Sequence, residues 1–160
     1  LGAGGPDQGF LSYTLGSEGD ADGLLRQPAG GTREPLCPDA IQAGRHFIHM
    51  EGRAVFKWAV RVLVDSSRDV LSHAGLTVDD IDLAVFHQAN IRIIDAANND
   101  LGIPSERVII NLDRYGNTSA GSMPLVLDEA VQQGRMRPGD HILLCGFGGG
   151  FAWGTAVLKW

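Results

Sequence analysis

A histidine, an asparagine and a bare run of glycines stand at three places where an apolar run gives out. His87 follows Leu83-Ala84-Val85-Phe86. Asn117 follows Val108-Ile109-Ile110-Asn111-Leu112 and lies in Tyr115-Gly116-Asn117-Thr118-Ser119-Ala120. A third apolar run, Leu143-Leu144-Cys145-Gly146, leads into Phe147-Gly148-Gly149-Gly150-Phe151. Short apolar runs bounded by turn residues read as strands, and in α/β folds the groups just past strand carboxyl ends gather in one crevice. A neutral imidazole and a primary amide both offer N–H donors. Aimed together at one carbonyl oxygen, they would stabilise an enolate or a tetrahedral oxyanion, each donor contributing about 3 kcal/mol to lowering the barrier. Glycines let a backbone N–H approach a ligand with no side chain in the way. The chemistry indicated is acyl transfer or carbon–carbon bond formation. Taken alone, His87 is equally consistent with a satisfied loop histidine, and 146–150 with a plain hairpin turn.

That chemistry also wants a nucleophile, and neither cysteine reads as one. Cys37 lies in the loop-like Pro35-Leu36-Cys37-Pro38, and Cys145 lies inside an apolar run. A reactive thiol needs an electropositive, partly exposed setting. His46 and His49 have no carboxylate or cysteine at ligand spacing, so no metal is expected. The glycine run is not followed by Gly-Lys-Ser/Thr, which excludes a P-loop. Phe151 and Trp153 read as core rather than as ligand-stacking residues.

The elements that must position these groups follow from periodicity. Phe10–Leu15 reads as a strand and 17–38 as a long loop. Apolar residues at Val55, Ala59, Val62, Leu63, Val70 and Leu71 recur three and four apart, which predicts a helix over 53–74 stopped by Gly75. A polar turn at 77–80 precedes a buried strand, 81–86. A helix over 90–101 follows, with Ile93, Ile94, Ala97 and Leu101 on its inner face, stopped by Gly102 and Pro104. A strand at 107–112 and a helix over 118–133 come next. The small residues opening that helix suit close packing between two sheets; Pro124 fits a first turn or marks a kink. Strands at 141–145 and 152–158 flank the glycine turn. Alternating strands and helices predict an α/β layer structure.

In order along the chain stand Met50-Glu51-Gly52-Arg53-x-Val55-Phe56-Lys57, His87-Gln88-Ala89-Asn90-x-Arg92-Ile93, Gly116-Asn117-Thr118-Ser119-Ala120 and Gly148-Gly149-Gly150-Phe151-x-Trp153-Gly154. Together they resemble the C-terminal half of a β-ketoacyl-acyl carrier protein synthase III, of the thiolase superfamily, from about Gly9 to Trp160. The resemblance implies one half of a thiolase-like layered α-β-α-β-α fold, with a mixed sheet and a buried central helix: residues 1–50 a loop-rich segment after a core strand, 51–160 the half domain. It implies that His87 and Asn117 are the catalytic donors to the thioester carbonyl of malonyl-acyl carrier protein. On the same resemblance, Gly149 would supply a backbone N–H to a second oxyanion hole. The resemblance also implies that Gly52 and Asn90 lie along the pantetheine arm of coenzyme A, and that Lys57 with Gln88, Ala89, Asn90, Ile91 and Arg92 docks the acidic carrier protein. The family's nucleophilic cysteine belongs to the N-terminal half. Leu1-Gly2-Ala3 reads as the tail of a strand, so the chain reads as a fragment or split subunit that needs a Cys-bearing half and then pairs as a homodimer. Four positions depart from the family's pattern: Phe86 stands where proline is usual, Arg53 where asparagine is frequent, and Asn99 and Asp100 where basic residues extend the docking patch.

The implied activity is the decarboxylative condensation of an acyl-CoA primer with malonyl-acyl carrier protein, which starts fatty-acid synthesis, with thioester substrates and no separate cofactor. Two other readings stay open: a non-catalytic module that grips coenzyme A or carrier protein, and a specialised polyketide-type acyltransferase. The 160 residues are 44% hydrophobic with a net charge of −6. That balance argues against non-specific nucleic-acid binding. No apolar run approaches the roughly 20 residues that span a bilayer. The cytoplasm is the expected location.

Overall fold

The computed structural model describes residues 5, 8–19 and 23–160; residues 1–4, and with them the proposed strand tail Leu1-Gly2-Ala3, lie outside the described residues. In chain order the elements are β1 (Gly9–Ser17), β2 (Leu25–Arg26), α1 (Pro38–Gln42), β3 (His49–Met50), α2 (Gly52–His73), β4 (Leu83–Phe86) and α3 (Ile91–Leu101). After these come α4 (Leu112–Tyr115), α5 (Ser122–Gln132), β5 (His141–Gly148) and β6 (Ala152–Lys159). The main sheet has the order β1-β6-β5-β4. β4 and β5 run parallel, while β6 is antiparallel to both of its neighbours, so the sheet is mixed. The sheet draws on both sides of residue 50, because β1 pairs with β6 along nearly its whole length. The loop expected at 17–38 contains β2, which forms a two-residue ladder with β3.

α2 and α3 cover one face of the sheet. Their apolar stripe, with Ala59, Leu63, Val70 and Ala97 fully buried, meets Ala84, Phe86, Leu143, Cys145 and Val157 of the sheet. Replacing a residue such as Leu63 with alanine there costs about 2–5 kcal/mol. α2 ends where the sequence says it should: Gly75 adopts φ 69°, and Leu76 N–H reaches Leu71 O at 2.9 Å, a Schellman closure. α3 begins on Asn90, whose side chain accepts Arg92 N–H, and stops on left-handed Gly102.

α5 lies on the opposite face, packing Val126 and Ala130 against Leu83, Val85 and Ile142. This chain supplies one sheet against α5, and Leu125 and Val131 remain exposed on the helix. On the same side of the sheet, β1 exposes Tyr13 and Leu15.

Two elements differ from their sequence-based form. The strand expected at 107–112 is reduced to one parallel bridge between Val108 and Ala84, with Ile109 N–H donating to Ala84 O. Beyond that point a side chain replaces the ladder. The fully buried Gln88 amide donates through Nε2 to Ile109 O at 3.5 Å and accepts Asn111 N–H on Oε1 at 3.2 Å. The helix expected to start at Thr118 starts at Ser122, after the 3₁₀ turn Ser119–Gly121. Ser119 has φ 53°, a left-handed conformation that an α-helix cannot continue through. Pro124 therefore falls in the first turn of α5, where its missing N–H has no helical partner to lose, and no kink is needed.

Candidate active site

His87 is the first residue after β4. Its N–H donates to Cys145 O at 2.8 Å, which extends the β4–β5 pairing by one rung and fixes where the side chain leaves the sheet. The ring is half-buried, edge-on to Phe147 with centroids 5.2 Å apart. Nδ1 lies 2.7 Å from Ser122 Oγ. Burial pushes the imidazole pKa below its ordinary value, so the neutral ring dominates near neutral pH.

Asn117 follows Gly116, whose φ of 66° and ψ of −162° suit glycine alone. Its Oδ1 accepts Ser119 N–H at 2.9 Å. That bond identifies the oxygen and leaves the amide nitrogen as the outward donor. The preceding turn is tied to α5 by Arg114 Nη2, which donates to Glu129 Oε2 at 2.6 Å. Ser119 and Phe151 are the two non-glycine residues with positive φ among the described residues. One follows Asn117 and the other closes the glycine turn. Unfavourable backbone held by its surroundings often marks sites where geometry is needed for function.

Gly149, Gly150 and Phe151 join β5 to β6, so the glycine run is a hairpin connection. Gly150 has φ 77°. A side chain at Gly148 or Gly149 would meet nothing within 4 Å among the described residues beyond its immediate chain neighbours, so packing among those residues does not explain the bare backbone there. Gly16 and Gly154 differ: an added Cβ would fall 2.2 Å from Trp153 and 2.9 Å from Leu15. The turn is anchored by the end of β1. Ser17 Oγ donates to Gly150 O at 3.2 Å, and Glu18 N–H donates to Phe151 O at 3.2 Å. The Glu18 carboxylate accepts Trp58 Nε1 at 3.0 Å and two bonds from Arg61. The Arg61 bonds hold that carboxyl below its ordinary pKa.

The remaining sequence-derived positions lie on the surface or are withdrawn from it. Gly52 opens α2 and is exposed, as are Lys57, Ile91 and Arg92. Ala89 is half-buried, and Asn90 uses Oδ1 to cap α3. Gln88 is corrected: fully buried and bonded to Phe86, Ile109 and Asn111, it has no surface to offer a carrier protein and acts as an internal brace. Three contributors escaped the sequence reading. Ser122 was one of a run of small residues, Glu18 lay in a segment read as loop, and the bracing role of Gln88 depends on contacts more than twenty positions away. Cys37 is exposed at the start of α1, and Cys145 is fully buried, as its apolar run implies, with burial pushing its thiol up to about 11. Phe151 is core, stacked edge-on against Trp58 at 4.4 Å.

A mixed sheet carrying helices on both faces, with a histidine just past β4 and an asparagine just past α4, is the arrangement of a thiolase-like α/β protein. The chain belongs to the family described as 3-oxoacyl-[acyl-carrier-protein] synthase III C terminal, whose model matches residues 71–160. It is 53% identical over 152 residues to the β-ketoacyl-[acyl-carrier-protein] synthase III of Rhodopirellula baltica, an alignment covering 95% of this chain and 44% of that protein. It superposes on a β-ketoacyl-[acyl carrier protein] synthase III from Thermus thermophilus with a TM-score of 0.86 at 46% identity, covering 100% of this chain and 49% of that one. The priming β-ketosynthase of the R1128 polyketide biosynthetic pathway is also similar, with a TM-score of 0.78 at 34% identity over 92% of this chain and 43% of that one. The chain spans about half the length of the curated relatives it matches. No helix among the described residues is long and apolar enough to cross a membrane.

Proposed function

We propose that this chain supplies the donor half of a condensing-enzyme active site, acting in the decarboxylative condensation of an acyl-CoA primer with malonyl-acyl carrier protein at the start of fatty-acid synthesis. The observation that carries the reading is shared by His87 and Asn117. Each has its inner atom occupied within the chain: Asn117 Oδ1 accepts Ser119 N–H, which leaves the amide nitrogen as donor, and His87 Nδ1 is engaged by Ser122, which leaves Nε2 as the nitrogen available to a ligand. Two such donors on the malonyl thioester oxygen stabilise the enolate that forms as carbon dioxide leaves. The enolate carbon then attacks the acyl thioester on a cysteine outside this chain, the new carbon–carbon bond forms, and the cysteine leaves as thiolate. The Gly149 N–H is placed on a turn with room for something outside the chain, which suits the oxyanion of that second step. Gly52 and Asn90 flank the pantetheine arm, while Lys57, Ala89, Ile91 and Arg92 present the carrier-docking surface. The full protein works as a cytoplasmic homodimer, with thioester substrates and no further cofactor.

The test is malonyl decarboxylation and acyl loading measured separately in the full-length protein. His87→Ala and Asn117→Ala lose decarboxylation and keep acyl loading on the cysteine. Unchanged decarboxylation in either variant would remove that residue from the role. The likeness to a polyketide priming ketosynthase supports a second reading, specialised acyl transfer, which a panel of acyl-CoA primers distinguishes by the chain it prefers.

A further inference from the structure

We infer that Ser122 is a positioning residue that fixes the tautomer of His87. The inference rests on the reading of His87 as an oxyanion donor and adds a residue to it. Ser122 opens α5 and is 1% exposed. Its Oγ has two neighbours, His87 Nδ1 at 2.7 Å and the backbone nitrogen of Gln88 at 3.2 Å. A backbone N–H can only donate, so towards Gln88 the serine oxygen is an acceptor. The serine proton then needs an acceptor of its own, and among the described residues the partner in reach is Nδ1.

Two arrangements compete. With the ring proton on Nε2, Ser122 O–H donates to the Nδ1 lone pair, and every buried polar atom in the cluster is paired. With the ring proton on Nδ1, both Nδ1–H and Gln88 N–H point at Oγ, and the serine proton is left buried without an acceptor. Stranding a buried donor shifts such an equilibrium by roughly 5- to 150-fold. The cluster therefore selects the Nε2–H tautomer, and which nitrogen of a histidine bears the proton is generally set by the bond the other one makes. Gln88 is integral to this logic: its own amide is locked to Phe86 and Asn111, which holds its backbone N–H on Ser122. The outward nitrogen of His87 is thereby made a donor before substrate arrives.

The experiment is a long-range 1H–15N correlation spectrum of the full-length protein labelled with 15N-histidine at about pH 8, with the His87 signals identified by their loss in His87→Gln. The expected result is an unprotonated Nδ1 and a protonated Nε2. Ser122→Ala moves the pair toward a mixture of tautomers and lowers kcat for malonyl decarboxylation by about ten-fold with KM little changed; Ser122→Thr, which keeps the hydroxyl, restores both. A protonated Nδ1 in the unsubstituted protein overturns the inference, as does a Ser122→Ala spectrum identical to the parent. Failure of the donor reading is separate: His87→Ala would then retain decarboxylation whatever the tautomer.

Discussion

Two hydroxyl-centred clusters flank the same strand and share a residue. On the α2 face, Ser66 Oγ donates to Val62 O at 2.6 Å and lies 2.7 Å from Thr155 Oγ1, which lies 2.8 Å from Cys145 Sγ. At the carboxyl end of β4, Ser122 joins Gln88 to His87. Cys145 links the two, since its carbonyl accepts His87 N–H. Both clusters contain a group with reactive potential. The first is sealed: Cys145 is 0% exposed and Thr155 2%, and its polar atoms satisfy one another. The second closes its inner bonds and leaves the imidazole only partly buried. The same hydrogen-bond chemistry closes on itself in the first cluster, and in the second it leaves over the ring nitrogen that the proposed function uses. Identity of the residue types does not separate the two; depth and the count of satisfied atoms do.

The contrast is sharpest in thiol reactivity. A thiol pushed up to about 11 is ionised in roughly one molecule in a thousand at pH 8, and burial lowers access further. Alkylation followed by mass spectrometry should modify exposed Cys37 and leave Cys145 intact in the folded chain, a rate difference of about 100-fold or more. Comparable labelling of both would mean that the α2 cluster opens readily and is not sealed. The next effect lies on the other side of β5. His87→Ala should lower malonyl decarboxylation by about 10²- to 10³-fold, the size associated with losing one oxyanion donor, while the thermal midpoint falls by no more than the few degrees that an unpaired Ser122 hydroxyl costs. A large fall in midpoint would show that the imidazole is structural after all.

Thr155→Val reverses that pattern. It keeps the shape and removes the hydroxyl on which Ser66 and Cys145 converge. The cost should be about 1–3 kcal/mol of stability, because buried partners lose a bond they cannot replace with water, while decarboxylation per folded molecule stays near the parent value. Denaturant titration beside kinetics checks both halves. A loss of activity without loss of stability would erase the distinction between the clusters.

Much of this scaffold was legible in the sequence. α2 and α3 declare themselves by three- and four-residue apolar spacing and by glycines that end each helix, and these signals are local. Where a distant residue intervenes, local signals mislead. Residues 108–112 have the composition of a strand, yet the Gln88 amide takes the place of a neighbouring ladder. The start of α5 hinges on the left-handed backbone of Ser119, which no periodicity reports. His87 and Asn117 stood out by their place after apolar runs, but their roles came from the motifs that resemble the synthase family. Ser122 and Glu18 carried no signal, because each matters through a partner far along the chain: His87 for the one, Trp58 and Arg61 for the other.

The smallest effect tests whether partial burial is what readies the open cluster. His87 titrates below its ordinary value of 6.5 because burial penalises the charged ring. Above pH 6.5 the ring is neutral in both folded and unfolded chains, so it contributes no pH dependence to stability. As the pH falls below 6.5, the unfolded chain takes up a proton that the folded chain resists. Folding therefore loses stability across the window between 6.5 and the lower folded value. The same window bounds activity: the neutral donor persists below pH 6.5, so the acid limb of the decarboxylation profile should lie beneath that value. An NMR titration of the His87 ring should give a midpoint under 6.5 that coincides with the acid limb. Phe147→Ala, which removes the ring packed edge-on against the imidazole, should let water in and return the midpoint toward 6.5. A midpoint at or above 6.5 in the parent protein would mean the imidazole is solvated like a surface histidine, and the difference between the sealed and the open cluster would then lie in exposure alone, with no tuning of the donor.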